Sequence, residues 1–576
     1  MIDDIRSALG LLRRAERWQW AALVPLAAIG AATEALGAAA VFFLARVLTD
    51  PAQASRIPIA SSWVGPPGAT EPQVLFRATA LVVAFYVVRN VLLISIQSIQ
   101  ERVVHRTASR LATRLLSACL NAPYPFHFRR ASSSLITDLR YGVDLVVAQV
   151  IASVLHLASE LMVVVGLLVI LALAAPAATV LALAAMCTIL VPLIVISRRL
   201  MGRLGEQDRQ INERISADLD HSLGAIKAIL LGGLQPHFIA RFERNRVALS
   251  HVREHRETMT LGLRLTVETA FICAMLIAVA LLTLSGRSGP EVVSLLGLYA
   301  YAGFRMVPSA NRVMVNLNSL RYGRAFVTPL AEDWAFLGQS RPVRRPEAVA
   351  PFARDIVFDQ VSYVYEDDRP HALRGVNLTI ARGESVGIVG PSGAGKSTLV
   401  DVMLGLLPPT SGRVLVDGRD IAAALPEWQR QIGYVPQDPA IVDDTLRRNV
   451  AFGLDDDAIE EARVVETIRI ARLTDLAASL PRGLDTRLGQ RGIRLSGGER
   501  QRIAIARALY RDPAVLVFDE ATSALDDQTE REIVDAIDAL RGRTIVVIAH
   551  RASTVRSCDR LVMLDQGRVV SMAGQL

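Results

Sequence analysis

The sequence is poor in cysteine, in aromatic residues and in charge. Its four cysteines lie far apart and form no CxxC pair, so neither a disulfide framework nor a zinc site is indicated. Charged residues make up 21% of the 576 positions and aromatic residues 5%, whereas a soluble protein is about one quarter charged. Hydrophobic residues reach 51%. Together these values exclude a disordered chain, a small secreted scaffold and a single soluble domain.

Lysine is the scarcest charged residue, with only Lys227 and Lys396 against 61 arginines. Codon usage that favours arginine is the expected explanation of the scarcity, although one of the two lysines, Lys396, lies where the chemistry requires a lysine. The net charge of +7 hides a division, because residues 1–350 carry 35 basic against 23 acidic side chains, and residues 351–576 carry 28 against 33. A basic apolar half joined to a mildly acidic half is not the pattern of a nucleic-acid binder, so no nucleic-acid partner is expected.

Six apolar segments are long enough to span a bilayer, which takes about 20 helical residues. The first follows a basic amphipathic stretch, lies beside Trp18 and Trp20, and is longer than the apolar core of a signal peptide, so it is interpreted as an uncleaved span. The six predicted spans are residues 20–48, 74–96, 145–174, 176–196, 260–285 and 291–313.

The positive charges between these spans predict the orientation. The N-terminus and the segments 97–144 and 197–259 carry 22 basic residues, whereas the intervening loops carry two, Arg56 and Arg287. This asymmetry places both termini and the two long segments in the cytoplasm. We expect the long segments to be helical extensions that reverse near residues 124–129 and 218–224; ordinary surface loops are the alternative.

Several ionisable residues lie inside the predicted spans, where each is costly unless it faces protein or water. They indicate an internal cavity or a set of intramembrane ion pairs. The arginines among them would suit an anionic ligand, because a guanidinium binds phosphate through two hydrogen bonds. The set is Glu34, Arg89, His156, Glu160, Arg264, Glu268 and Arg305.

After residue 340 the composition changes to short apolar strands, glycine turns and helices. We therefore predict a membrane domain at 1–340, a linker at 341–351 and a second domain at 352–576. A buried strand at 384–389 runs directly into the pattern G-x-x-x-x-G-K-S and then a helix, which is the phosphate-binding loop in its required context. The predicted ATP-binding residues are Gly390, Pro391, Ser392, Gly393, Ala394, Gly395, Lys396, Ser397 and Thr398.

Two acidic residues follow a second apolar strand at 515–518. Asp519 is predicted to bind Mg²⁺ together with Ser397, because a carboxylate at the end of a strand beside a phosphate loop is suited to that ion. Glu520, the next residue, is predicted to act as general base on the attacking water. ATP and Mg²⁺ are therefore the expected ligands.

A third motif identifies the family. Leu495, Ser496, Gly497, Gly498 and Glu499 read LSGGE at the start of a helix, and this sequence resembles the signature of the ATP-binding cassette (ABC) ATPases. The resemblance implies further roles: Gln437 as the Q-loop residue near Mg²⁺, His550 as the switch histidine on the γ-phosphate, and Tyr365 as the aromatic that stacks on adenine. It implies a D-loop at Ser523, Ala524, Leu525 and Asp526.

The domain order resembles that of an exporter-type half-transporter. The implied fold is an all-α six-helix transmembrane domain of the type IV exporter kind, followed by an α/β P-loop NTPase domain. The family binds each ATP between the phosphate loop of one subunit and the signature of another, which implies a homodimer and alternating access. Exporters usually carry an acidic residue at the position of Gln490, so one coupling contact differs here.

The membrane half is similar to the lipid-linked oligosaccharide flippases, in the segments 34–37, 123–126, 224–229 and 304–309. The implied protein is a multi-pass ABC exporter of the bacterial inner membrane that moves such a glycolipid. Arg305 is the first candidate for a diphosphate contact and Arg89 the second. Alternatively, Arg305 pairs with Glu34, Glu160 or Glu268 to hold the bundle, and the cargo is another lipid (lipid A type), a peptide or a drug.

Overall fold

The structure is a computed structural model in which the chain forms two compact units. The first contains Met1–Ala122 and His127–Arg341, and the second contains Pro123–Phe126 and Pro342–Leu576. The short segment 123–126 thus belongs to the second unit, although it lies between the second and third predicted spans. The structure describes residues 2–49, 64, 70–174, 176–284, 289–338, 350–365, 371–489, 492–493, 495–521, 530–531, 534–535, 537, 540, 542–549, 551–556 and 558–574.

The described part of the first unit is helical. Its long helices begin at recognisable signals: before α3, the Thr70 N–H donates to the Gln73 side chain over 3.3 Å, and Pro72 lies in the first turn. The helices are α1 (Ile2–Gly10), α2 (Arg14–Thr49), α3 (Glu71–Leu120), α4 (Tyr124–Arg129, of which Tyr124–Phe126 belongs to the second unit), α5 (132–174, with π-helical turns at Asp138–Gly142 and Val146–Ile151), α6 (Pro176–Gly224), α7 (Ile226–Leu231), α8 (Gln235–Leu284) and α9 (Gly289–Gly338).

Many apolar side chains of these helices point outward. On α3, Val83, Val87, Val88, Val91 and Ile94 are all more than half exposed, an arrangement that suits a hydrocarbon environment and not water.

Four described stretches are long and apolar enough to cross a membrane: Arg14–Val41, Glu71–Leu120, Ser132–Val169 and Gln235–Ile277. The other two predicted spans, 176–196 and 291–313, lie on α6 and α9 and include side chains outside the described set.

The second unit is an α/β domain with two sheets. In the smaller sheet the order is β2-β1-β4-β5, all antiparallel; in the larger it is β10-β9-β3-β8-β7-β6, parallel except for β10. The strands are β1 (Asp355–Tyr363), β2 (Leu373–Ala381), β3 (Ser385–Val389), β4 (Ser411–Val416), β5 (Arg419–Asp420), β6 (Ile432–Val435), β7 (Val515–Asp519), β8 (Thr544–Ile548), β9 (Arg560–Asp565) and β10 (Arg568–Gly574).

Helices cover the larger sheet, as its continuous apolar strands require. They are α10 (Lys396–Met403), α11 (Leu425–Arg430), α12 (Leu446–Val450), α13 (Glu461–Ile470), α14 (Thr474–Ser479), α15 (Gly497–Tyr510) and α16 (Ala552–Val555), with single 3₁₀ turns at Ile421–Ala423, Asp456–Ala458 and Gly483–Asp485.

The core of the second unit lies on both faces of the larger sheet. Along β7, Val515 and Val517 join the cluster shared with α10 and the smaller sheet, whereas Leu516 and Phe518 join the cluster shared with α13 and α15. This alternation follows from the two-residue period of a strand. Because β3, β6, β7 and β8 are parallel, their carboxyl ends meet at one edge, and the predicted site residues follow those ends.

Candidate functional site

The loop between β3 and α10 has the tight geometry that its glycines allow. Gly390 has φ +153°, and a Cβ there would lie 2.1 Å from the Leu564 carbonyl oxygen. Gly395, the N-cap of α10, has φ +100°, and its Cβ would lie 2.4 Å from the Ala372 carbonyl oxygen. A side chain at either position would collide with backbone, so the loop requires glycine there.

Lys396 lies at the centre of this loop. Its side chain is buried, and Nζ donates to the carbonyl oxygens of Gly390 (2.9 Å) and Pro391 (3.0 Å). The loop residues Ser392 and Gly393 are exposed beside it. A buried ammonium next to exposed backbone at the start of a helix fits a polyphosphate, because positive charge and N–H donors converge there.

The carboxylates at the end of β7 receive hydrogen bonds from groups on or just after β6. The Tyr434 hydroxyl donates to Asp519 Oδ2 over 3.1 Å, and Gln437 Nε2 donates to Glu520 Oε2 over 2.9 Å. Burial raises the pKa of Asp519 and Glu520 adds to this, whereas Tyr434 and Lys396 act to lower it. Glu520 has φ +48°, a strained conformation for a non-glycine residue, and its N–H is held by the Ile548 carbonyl at 3.0 Å.

Oxygen donors of the kind that Mg²⁺ prefers are present at this edge. Asp519, the exposed Ser397 at the start of α10 and the Gln437 side chain supply them. The described residues contain no group of three or more His, Cys, Asp or Glu able to hold a metal alone. Mg²⁺ in a site of this kind would take its remaining ligands from water and from the substrate phosphates.

Two further predicted positions have defined local geometry. The Tyr365 ring is partly exposed, and its hydroxyl lies 3.0 Å from Thr398 Oγ1, which fixes the aromatic next to α10. Ser496 caps α15 in a reciprocal pair: its hydroxyl accepts from the Glu499 N–H (3.2 Å), and its N–H donates to Glu499 Oε2 (2.6 Å). Leu495 packs into the core, so it serves the fold while Ser496 and Gly497 stay exposed.

Within the described residues of one chain, no hydrogen bond joins the 495–499 signature to the 390–398 loop. His550, Gln490 and the D-loop Ser523, Ala524, Leu525 and Asp526 lie outside the described residues, as does the side chain of Arg305 on α9.

Sequence reasoning missed two residues near Asp519. One is Tyr434, which lies three positions before Gln437 on β6. The neighbour of β6 is β7, and this adjacency of the two strands was the missing information. The other is Asp401 on α10, whose pKa is raised to about 6 by burial and by Asp519.

In the first unit, the intramembrane carboxylates have basic partners. Arg89 lies 3.5 Å from Glu34 and 5.3 Å from the centre of the Tyr86 ring. Arg312 forms a two-point contact with Glu160, and Arg264 bonds Glu268 over 3.0 Å on the same helix. The structure thus shows partners for the three predicted carboxylates.

A cavity of about 290 Å³ lies between α8 and α9. Glu257 and Arg264 on α8 and Asn311 and Asn318 on α9 line it, together with apolar side chains. Asn311 Oδ1 and Asn318 Nδ2 are buried without a hydrogen-bond partner among the described residues. Such atoms are costly unless a ligand or water bonds them, so the cavity suits an amphipathic ligand with polar groups.

A glycine loop around a buried lysine, beside two strand-end carboxylates, defines a P-loop NTPase, and here it shares a chain with membrane-spanning helices. The ABC transporter family model matches residues 373–523, and the ABC transporter transmembrane region model matches residues 36–303.

Two relatives and one solved structure extend the match. The ATP-dependent lipid A-core flippase of Cupriavidus metallidurans is 33% identical over 508 residues, which are 86% of this chain and 83% of that protein. An exotoxin translocation ATP-binding protein of Pasteurella aerogenes is 44% identical over 218 residues, 38% of this chain and 30% of that one. A bacterial Atm1-family ABC exporter solved with ATP bound has a TM-score of 0.79 and 27% identity, with 98% and 96% of the two chains covered.

The chain therefore belongs to the ABC transporter family and has the type IV-like exporter fold expected from its sequence. It is an integral membrane protein that binds ATP and couples ATP hydrolysis to transport.

Proposed function

We propose that the chain is one subunit of a homodimeric flippase that moves a glycolipid of the lipid A-core type across the bacterial inner membrane, with both termini in the cytoplasm. The observation that carries the proposal is the 33% identity to a lipid A-core flippase along 86% of the chain. The sequence alone favoured a lipid-linked oligosaccharide; the names of the relatives favour the lipid A alternative instead.

Each site residue has a role in this proposal. Lys396 binds the β- and γ-phosphates, the 390–398 loop surrounds them with backbone N–H groups, and Tyr365 stacks on adenine. Glu520 accepts a proton from the attacking water, with Gln437 holding its carboxylate. Mg²⁺, bound by Ser397, Asp519 and Gln437, would neutralise phosphate charge, and His550 would contact the γ-phosphate.

The dimer follows from the position of the signature. Ser496 and Gly497 are exposed at the start of α15 and do not bond the phosphate loop of their own chain in the described residues. In a homodimer they would bind the γ-phosphate held by the second subunit, with Ser523–Asp526 alongside, and the bound ATP would hold two ATPase domains together. Transport then follows as the domains close and reopen.

Mixing two inactive variants tests the dimer. Lys396→Ala lacks a phosphate lysine, and Ser496→Arg blocks the signature, so each homodimer has two defective sites. A mixed dimer contains one intact site, formed by the wild-type loop of one chain and the wild-type signature of the other. We expect mixing before reconstitution to restore part of the ATPase activity. No recovery in verified mixed dimers would contradict shared sites.

The cargo is expected to be an anionic amphipath. The cavity between α8 and α9 presents two asparagine atoms without a hydrogen-bond partner among the described residues, which are able to bond the hydroxyl groups of a sugar. Arg264 also lines this cavity, but it is bonded to Glu268. Arg89 is held by Glu34, which favours a bundle-stabilising role for that arginine. Arg305 stays a predicted phosphate contact.

A flipping assay separates the candidate cargoes. Proteoliposomes with the chain, ATP and Mg²⁺ are supplied with labelled lipid A-core, with a polyprenyl-diphosphate oligosaccharide, or with labelled phosphatidylethanolamine. We expect ATP-dependent movement of lipid A-core, none in the Glu520→Gln control, and reduced movement in Arg305→Ala. Movement of the polyprenyl lipid alone would overturn the cargo in favour of the oligosaccharide. Unchanged flipping by Arg305→Ala would remove that residue from the site.

A further inference from the structure

The carboxylate of Asp519 depends on one hydroxyl group. Among the described residues, Tyr434 is the only hydrogen-bond donor to this carboxylate, at 3.1 Å to Oδ2. The second carboxyl oxygen, Oδ1, is left without a protein donor in the described residues. Because the hydrogen bond to Oδ2 fixes the orientation of the carboxylate, the lone pairs of Oδ1 point in a defined direction.

The sheet explains why this hydroxyl is in reach. Tyr434 pairs with Val517 across the parallel β6–β7 ladder, two positions before Asp519. The side chain of Tyr434 is about one third exposed, whereas its neighbours Gly433 and Val435 are buried. The ring is therefore not a core side chain of its strand, and the hydroxyl extends along the strand edge to the acid.

The groups around Asp519 offer its carboxylate little other support. Asp401 approaches from α10 and Glu520 follows in the chain, and both repel the Asp519 charge. Lys396 is the cation that lowers the pKa of Asp519, but its Nζ is occupied by two loop carbonyls. Without the tyrosine, an acid between two other acids would turn toward solvent.

Burial is the largest cause of the raised pKa of Tyr434. Asp519 and Asp401 raise this pKa further, and Tyr124 of the segment 123–126 adds a smaller contribution.

We infer that Tyr434 is a positioning residue that orients Asp519 to receive Mg²⁺. The inference rests on the proposed role of Asp519 as a magnesium ligand. Groups that hold a metal ligand in place typically change metal affinity by about 10- to 100-fold when they are removed. Tyr434→Phe deletes the hydroxyl and keeps the ring, so it isolates the hydrogen bond.

The test uses the full-length protein in nanodiscs with Mn²⁺ in place of Mg²⁺. Free Mn²⁺ is measured by electron paramagnetic resonance during titration at a saturating, non-hydrolysable ATP analogue. We expect Tyr434→Phe to weaken Mn²⁺ binding about tenfold. Binding of the analogue in EDTA should be unchanged. In turnover, the KM for Mg²⁺ should rise by a similar factor, while kcat at saturating Mg²⁺ falls less than about twofold.

Tyr510→Phe is the matched control, because the hydroxyl of that buried tyrosine accepts from the Glu460 N–H at 2.9 Å, away from the acids. It should leave Mn²⁺ binding unchanged. Wild-type Mn²⁺ affinity in Tyr434→Phe would overturn the inference, as would an equal loss in both tyrosine variants. Asp519→Asn separates the ligand role of Asp519 from the positioning role of Tyr434. If Asp519→Asn retains Mn²⁺ affinity, the proposed ligand role fails. If it loses affinity while Tyr434→Phe does not, only the positioning role fails.

Discussion

The sheet edge of the second unit and the long helices of the first unit hold their charged residues with different kinds of partner. At the sheet edge of the second unit, Lys396 donates to two carbonyl oxygens and Asp519 accepts from a phenol, so both charges have neutral partners. In the first unit, the partly buried Glu160 faces Arg312 and the buried Asp208 faces Arg253, so carboxylates there have guanidinium partners.

This difference distinguishes charged residues that bind a ligand from charged residues that stabilise the packing of the helices. A neutral partner fixes the position of an ion and leaves its charge available to a ligand. An opposite charge offsets that ion, so the pair stabilises packing in a low-dielectric region but offers little net charge to a substrate. The type of partner is thus a better guide to a ligand site than burial or residue type.

The largest expected effect is at the edge of the sheet. Glu520→Gln keeps the size and the bond to Gln437 but removes the base, so the rate of ATP hydrolysis should fall by about 10²- to 10⁴-fold. Nucleotide-bound dimers should accumulate, which a filter-binding assay with labelled ATP detects. Normal turnover would show that Glu520 is not the base.

A smaller but still severe effect is expected from Gly390→Ala. The new Cβ would meet the Leu564 carbonyl at 2.1 Å in a left-handed backbone, so the loop must deform at about 1–3 kcal/mol and ATP affinity should fall at least tenfold. Gly202→Ala on α6 is the control, because nothing lies within 4 Å of its Cβ. Fluorescent ATP-analogue titration measures both variants. Equal affinity in the two would contradict the tight-loop geometry.

In the first unit, Glu160→Gln should affect folding and leave nucleotide affinity intact. It leaves Arg312 without its anion, although that guanidinium is 43% exposed, so the loss of stability should be about 1–3 kcal/mol, below that of a fully buried pair. Thermal unfolding in detergent measures the loss, and ATP-analogue titration provides the comparison. A variant with a normal melting temperature but impaired flipping would show that Glu160 contributes to cargo binding and not to stability.

The smallest expected effect is a pH-dependent gain in stability when Asp401 is replaced by asparagine. Its pKa rises from 3.8 to about 6 on folding, so its contribution to stability is present below pH 3.8 and is lost as pH rises through 6. Asp401→Asn should therefore stabilise the protein at pH 7.5 by about 1 kcal/mol, after allowance for partial exposure.

The gain at Asp401 should shrink at pH 5. Melting temperatures at both pH values, in EDTA without nucleotide, check it. An equal gain at both would exclude a charge effect.

Local patterns predicted what local physics determines. The G-x-x-x-x-G-K-S loop, the acids after β7 and the helix start at Ser496 are each set by a few consecutive residues. The exporter fold followed from the resemblance of these motifs to the ABC ATPases and from the order of the two domains. Tyr434 and Asp519 lie 85 positions apart, and their bond depends on β6 being the neighbour of β7. The pairing of Glu34 with Arg89 also depends on which helices are neighbours and not on consecutive residues. Neither the motifs nor the composition could separate lipid A from an oligosaccharide lipid, because both are anionic amphipaths.

The two lysines have a practical consequence for amine chemistry. Lys396 is buried in its loop and bonded twice, whereas Lys227 is exposed on α7. Acylating reagents will therefore distinguish the only two side-chain amines of the protein. Mass spectrometry of these sites would then follow the phosphate loop through modification of Lys396 and the short helix α7 through that of Lys227, in one unmutated sample.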